Sequence, residues 1–166
     1  MGVNSLTFLK NSNRDFNNVL DSMETKLFQI KTVTADTTLT LEDCGKVVMV
    51  NPAATTAVTL PTLSSAIAGW AVKIIITEDT DGSDGGMGQI VNIDFGSGSD
   101  VVGMIVSADN VAGDYAVNND DFINFTADAS PGDMVDIFTD GNRWYVHGMA
   151  KDAAGSDVKF HTGAAS

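Results

Sequence analysis

The chain has 166 residues, 43% of them hydrophobic, with 22 acidic against nine basic residues for a formal charge of −13, a size suited to one globular domain plus an appendage. A surface this acidic repels phosphate backbones and anionic lipid, which argues against nucleic-acid and membrane partners, and no apolar run approaches the roughly 18 to 20 residues of a membrane span. The single cysteine, Cys44, excludes an intramolecular disulfide framework and a multi-cysteine metal site, and the first ten residues lack the basic-then-apolar order of a secretory signal.

The first 31 residues carry four basic side chains (Lys10, Arg14, Lys26, Lys31) and three acidic ones (Asp15, Asp21, Glu24), a net of +1 that leaves −14 for the rest. Within this stretch Phe16, Val19, Leu20, Met23 and Leu27 recur at spacings of three and four, the stripe of an amphipathic helix. Ser12 suits the N-cap, and Asp15 suits the positive end of the helix dipole. The spacing predicts a helix over 13–28, an N-terminal arm covering 1–31. Its stripe requires a surface, on its own domain or on a neighbouring chain.

From residue 32 the texture changes to short β-branched runs separated by Gly, Asp, Asn and Pro, which predicts an all-β domain over 32–149. Strands are expected near 38–41, 46–50, 57–60, 70–77, 89–93, 101–106, 122–126, 134–139 and 143–148, without helices between them. In the fourth, Trp70, Val72, Ile74 and Ile76 share one face and Ala71, Lys73, Ile75 and Thr77 the other. The expected fold is mainly β, an antiparallel β-sandwich or flattened barrel. Asp140-Gly141 between two strong strand patterns predicts a tight hairpin. The core is expected from Leu41, Val47, Met49, Val58, Leu60, Val72, Ile74, Ile76, Val135, Ile137, Trp144 and Val146. Residues 150–166, rich in Ala, Gly, Ser and Asp, read as a loose tail or an extended arm on a neighbour.

Catalysis finds little to work with. His147 alternates away from Trp144 and Val146 as a surface histidine, and His161 sits in the tail. Cys44 has two acidic neighbours, a poor setting for a nucleophilic thiolate. No nucleophile elbow, P-loop or His-Glu-x-x-His pattern occurs, so the chain is not expected to be an enzyme or to need an organic cofactor. Between Lys73 and Arg143 there is no Lys, Arg or His, but there are Glu78 and 13 aspartates. Those charges must be solvated, screened, bound to cations or faced by another protein. Asp79, Asp81 and Asp84 in the glycine-rich loop 78–86 offer hard oxygen ligands for Ca²⁺ or Mg²⁺. Counted from Asp79, however, the loop puts Asp84 and Ile90 where a calcium loop needs glycine and glutamate. Asp109, Asp114, Asp120 and Asp121 form a second, unspecific acidic group. Trp70, Tyr115, Trp144 and Tyr145 are the candidates for a sugar platform, with both tryptophans better placed in the core.

Laid end to end, the β region carries a series of short elements: Thr37-Thr38-Leu39-Thr40-Leu41, Asp43-Cys44-Gly45-Lys46-Val47, Asn51-Pro52-Ala53-Ala54, Ala57-Val58-Thr59-Leu60-Pro61, Gly69-Trp70 and Gly132-Asp133-Met134-Val135. Last comes Asp140-Gly141-Asn142-Arg143-Trp144-Tyr145-Val146-His147-Gly148. In order and spacing this series, over roughly 33–148, resembles virion structural proteins of tailed bacteriophages, above all head decoration (cement) proteins and less often tail-fibre or spike modules. The acidic insertion around 79–88 departs from the pattern. The resemblance implies a β-sandwich-like fold, trimers or other symmetric oligomers, the major capsid protein as partner, no enzymatic activity, and a place on the capsid surface after synthesis in the host cytoplasm. The alternative it leaves open is a tail-fibre or spike module that binds a host receptor. The arm stripe Phe16, Val19, Leu20, Met23 and Leu27 is the expected capsid anchor.

Overall fold

A computed structural model of the chain describes residues 29–77, 89–107, 114–115, 120–151 and 158–161. The arm helix expected over 13–28, with its stripe, and the acidic loop with Asp79, Asp81 and Asp84 lie outside the described residues.

Alternation organises the described chain. The first six strands are β1 (Ile30–Val33), β2 (Thr37–Thr38), β3 (Val47–Val50), β4 (Thr56–Thr59), β5 (Ala71–Ile76) and β6 (Val91–Asp94). They fall alternately in two sheets, β1, β3 and β5 in one and β2, β4 and β6 in the other. Each return to a sheet follows a pass through its companion, so the chain re-enters running the same way and pairs in parallel with its predecessor. The other sheet replaces the helix that usually forms a parallel crossover. Then come β7 (Val101–Ser107), β8 (Asp114–Tyr115), β9 (Phe122–Phe125), β10 (Met134–Thr139), β11 (Trp144–Ala150) and β12 (Val158–His161). The result is a seven-stranded sheet in the order β1-β3-β5-β10-β11-β7-β8 and a five-stranded sheet in the order β12-β9-β6-β4-β2.

The fold is thus mainly β, but the expected antiparallel arrangement is corrected. Among the described residues five of the ten pairings are parallel, the four of the winding and β11 with β7. Two short 3-10 turns, Leu41–Asp43 and Ser65–Ile67, stand where no helix was expected. The tail expected over 150–166 is corrected in part: Ala150 ends β11, and Val158–His161 pairs antiparallel with β9, its Val158 and Phe160 buried. The expected arm boundary also shifts, because Ile30 and Lys31 belong to β1.

One buried cluster takes side chains from both sheets, among them Val48, Ile74, Ile137 and Ile105 from the larger and Val58, Ile93, Ile123 and Phe160 from the smaller. Trp144 is fully buried and meets Trp70 edge-on, ring centroids 5.6 Å apart at 77°, a geometry that sets the positive ring edge against the negative face. The Trp70 indole N–H donates to the Thr40 carbonyl at 3.0 Å. Nine of the twelve expected core residues are buried. Three are corrections. Val47 and Met49 are only half-buried because β3 turns Val48 and Val50 inward, opposite Ile74 and Ile76 of β5. Leu41 is 57% exposed because the chain leaves β2 after Thr38 and enters a 3-10 turn, leaving Leu39 as the buried leucine.

The expected Asp-Gly hairpin is present between β10 and β11. Gly141 has φ +92°, and a Cβ there would lie 2.8 Å from the Ser64 carbonyl oxygen, so both conformation and space select glycine. The Asp140 carboxylate accepts the N–H groups of Asn142 and Arg143 at 2.8 and 3.0 Å.

Candidate interaction face

Because successive side chains of a strand point to opposite sides, every inward residue of the seven-stranded sheet implies an outward neighbour, and cross-strand register aligns these into rows. One row reads Thr32, Met49, Ile75, Met134, Met149, Val106 across β1, β3, β5, β10, β11 and β7. The next reads Ile30, Val47, Lys73, Asp136, His147, Met104. A shorter third row reads Ala71, Phe138, Tyr145, Val102. Ile30, Val102, Met104, Val106, Phe138 and Met149 are each between 42% and 58% exposed. They are large apolar side chains on one contiguous face, not scattered singly as on an ordinary surface. Four of the seven methionines, Met49, Met104, Met134 and Met149, stand here, unbranched side chains able to adapt to a partner surface.

The companion sheet differs on the corresponding side. Its rows there read Ala57, Asn92, Asn124, Lys159 and Thr59, Asp94, Phe122, His161, mostly polar, with Asn92 and Asn124 buried. Among the described residues, the exposed large apolar side chains of the two sheets all stand on the seven-stranded one.

The charge within the apolar face is paired at its centre. Lys73 and Asp136, neighbours in the middle row, pair at 2.8 Å. An open hollow of about 320 Å³ lies beside them, lined by Lys46, Val47, Ala71, Asp136 and Phe138 among others. Its two ammonium groups are both engaged, Lys73 by Asp136 and Lys46 by Asp43 at 2.9 Å, so it offers an anion no unpaired cation. At the third row Phe138 stacks on Tyr145 with centroids 5.0 Å apart and ring planes 11° from parallel. The Tyr145 hydroxyl donates to Asp140 at 3.1 Å. That bond raises the Tyr145 pKa, while the N–H donors of Asn142 and Arg143 lower that of Asp140.

At the edge by β1 the buried Asp43 carboxylate accepts Lys31 at 2.8 Å, Lys46 at 2.9 Å and the Thr40 N–H at 2.9 Å. Burial pushes this carboxyl up, but the bonds from Lys31, Thr40 and Lys46 and the charge of Lys31 outweigh it and hold Asp43 well below the usual carboxylate range. Several other described aspartates hold the backbone. Asp36, Asp94, Asp121 and Asp133 accept backbone N–H groups of Ala57, Gly96, Gly98, Ser130 and Lys151. The acid-rich interval also receives cations from its two ends: Lys73 on Asp136, and Arg143 on Asp100 at 2.9 Å.

The remaining sequence candidates do not converge on one centre. His147 is exposed in the middle row of the apolar face, and His161 is exposed at the end of β12. Cys44 is exposed just beyond the turn that carries Asp43. Trp70 and Trp144 are core and not a sugar platform. Of the second acidic group, Asp120 is buried, Asp121 caps the Gly98 N–H, and Asp109 lies outside the described residues. Among the described residues no three His, Cys, Asp or Glu side chains gather into a metal-binding group, and no helix is long and apolar enough to cross a membrane. The sequence shows the outward set Ala71, Lys73, Ile75 of one strand, but only the sheet order and register align such sets into one surface.

Compared with known proteins, the sequence matches no family model and no curated protein.

Proposed function

We propose that this chain is a virion structural protein that decorates and stabilises a bacteriophage head, bridging capsid subunits without catalysis. The observation that carries the reading is the apolar, internally neutralised outer face of the seven-stranded sheet on a chain of charge −13. Such a molecule has one side built to adhere and the remainder built to stay apart. The bacteriophage assignment itself rests on the resemblance over 33–148, from the threonine-rich first element to Asp140-Gly141-Asn142-Arg143-Trp144-Tyr145-Val146.

In this reading the two sheets form a β-sandwich, an amphipathic helix precedes it, and copies associate on the capsid surface. The anchor to the major capsid protein is the stripe Phe16, Val19, Leu20, Met23 and Leu27, in a 31-residue segment with a net charge of +1. Subunits that hold neighbouring capsomers together raise the barrier to lattice rupture. The anchor ends before β1, because Lys31 is committed to Asp43 and Ile30 to the sheet.

The test is occupancy of purified heads by full-length protein carrying Leu20→Asp and Met23→Asp. Two charges placed in the stripe reduce bound copies by about tenfold or more and leave the β circular-dichroism spectrum unchanged. Heads decorated at full density by the variant would remove the arm as the anchor.

A further inference from the structure

We propose that the outer face of the seven-stranded sheet binds a second copy of this chain, face to face about a two-fold axis passing near Lys73 and Asp136. The proposal deepens the reading of the chain as a self-associating subunit by naming the contact. Its test uses the isolated protein, so it fails separately from attachment to a shell.

Charge selects the partner. Two molecules of −13 approach only through surfaces that do not carry the charge. The three outward rows hold one acidic residue, Asp136, and it is paired with Lys73 at 2.8 Å. A basic partner would find no acid to recognise here, and an acidic ligand would find no unpaired ammonium among the described residues of the face. An apolar, neutral surface is the complement, and the same face on another copy is one.

The placing of the ion pair makes the face complementary to itself. Lys73 and Asp136 stand on β5 and β10, the third and fourth of the six strands that form the rows. A two-fold axis between them brings each Lys73 to the other copy's Asp136, so two pairs become a ring of four alternating charges. The apolar flanks then meet, with Ile30, Val47, Met49 and Ile75 on one side and Met104, Val106 and Met149 on the other. This is the reciprocal contact of an isologous interface.

The area is adequate. Six strands about 4.8 Å apart and roughly six residues long at about 3.3 Å each cover some ~600 Å² per copy, or ~1,200 Å² for the pair, which reaches the lower bound for stable, specific interfaces. Adaptable methionines help two twisted surfaces fit. The contact makes a two-fold pair, and not the trimer implied by the resemblance, the smallest unit of assembly.

The experiment combines sedimentation with photocrosslinking on the full chain. At micromolar concentration the native protein sediments as a pair, and Met104→Glu with Met149→Glu weakens association about tenfold or more. A second set of variants guards against misfolding. Lys73→Asp alone disrupts the pair, and adding Asp136→Lys restores it. A photoreactive side chain at position 104 forms a bond to a peptide of the same face in the other copy. A native protein that stays monomeric, face variants that associate undiminished, or crosslinks from position 104 confined to residues 1–28 of the same chain would each overturn the proposal.

Discussion

Asp43 shows how a residue pattern too short to be a motif becomes a structural joint. Its carboxylate ties together β1 through Lys31, the start of β3 through Lys46, and the Thr40 N–H that opens the 3-10 turn. Removing the charge leaves two half-buried ammonium groups without their acceptor, so Asp43→Asn is expected to cost about 3 kcal/mol at neutral pH, the scale for breaking a partly buried ion pair. The pH dependence follows from the depressed folded pKa. The stabilisation is complete above the unfolded carboxylate value near 3.9 and is lost as pH falls from there toward the folded value. Thermal melts between pH 7 and 2.5 should show the native protein losing more stability below about pH 4 than Asp43→Asn does; parallel acid limbs would contradict the assignment. The sequence shows Asp43 as an acidic neighbour of Cys44 and part of a short turn element, but not as a joint, because its cations lie 12 residues back and three ahead and the fold brings them together.

Strands were legible where their side chains alternate, and ambiguous where they do not. Val72, Ile74 and Ile76 alternate with Ala71, Lys73 and Ile75, and their face was read correctly. In β3 four apolar residues follow one another, so periodicity could not choose between Val47 with Met49 and Val48 with Val50. Register against β5 made that choice. Leu39 and Leu41 share one parity and read as one face, until a turn begun at Thr40 separates them. Val158-Lys159-Phe160-His161 alternates too, but four residues inside a stretch of Ala, Gly, Ser and Asp do not stand out until β9 supplies a partner. Parallel pairing left no local signal, since short β runs between turn residues suggest hairpins, and only the winding between two sheets reverses that inference. Tight cross-strand packing was equally hidden. A Cβ at Gly148 would sit 2.8 Å from Ile105 Cγ1 and 3.0 Å from Val135 Cγ1, side chains of the strands on either side of β11. Gly148→Ala should therefore cost about 1–3 kcal/mol, the scale of core overpacking, measured by urea unfolding. No loss of stability would show that β7 and β10 can move apart freely.

At the scale of the whole molecule, an acidic chain keeps few uncharged surfaces. Several described aspartates at strand ends and on loops are occupied with backbone N–H groups, as Asp94, Asp121, Asp133 and Asp140 show, so part of the acidity serves to hold the connections between strands. That leaves one outer face apolar and internally neutralised, and the proposed role adds the arm stripe as a second adhesive element. A subunit with two adhesive elements on an otherwise repelling surface suits assembly on a shell better than release and rebinding of a small substrate. For the proposed role, the most direct measurement is cryo-electron imaging of virus particles purified from cultures that produce this protein, with the protein located by a bound antibody fragment. The account predicts density at regular positions over the head. Density confined to tail fibres, or particles that lack the protein altogether, would contradict it.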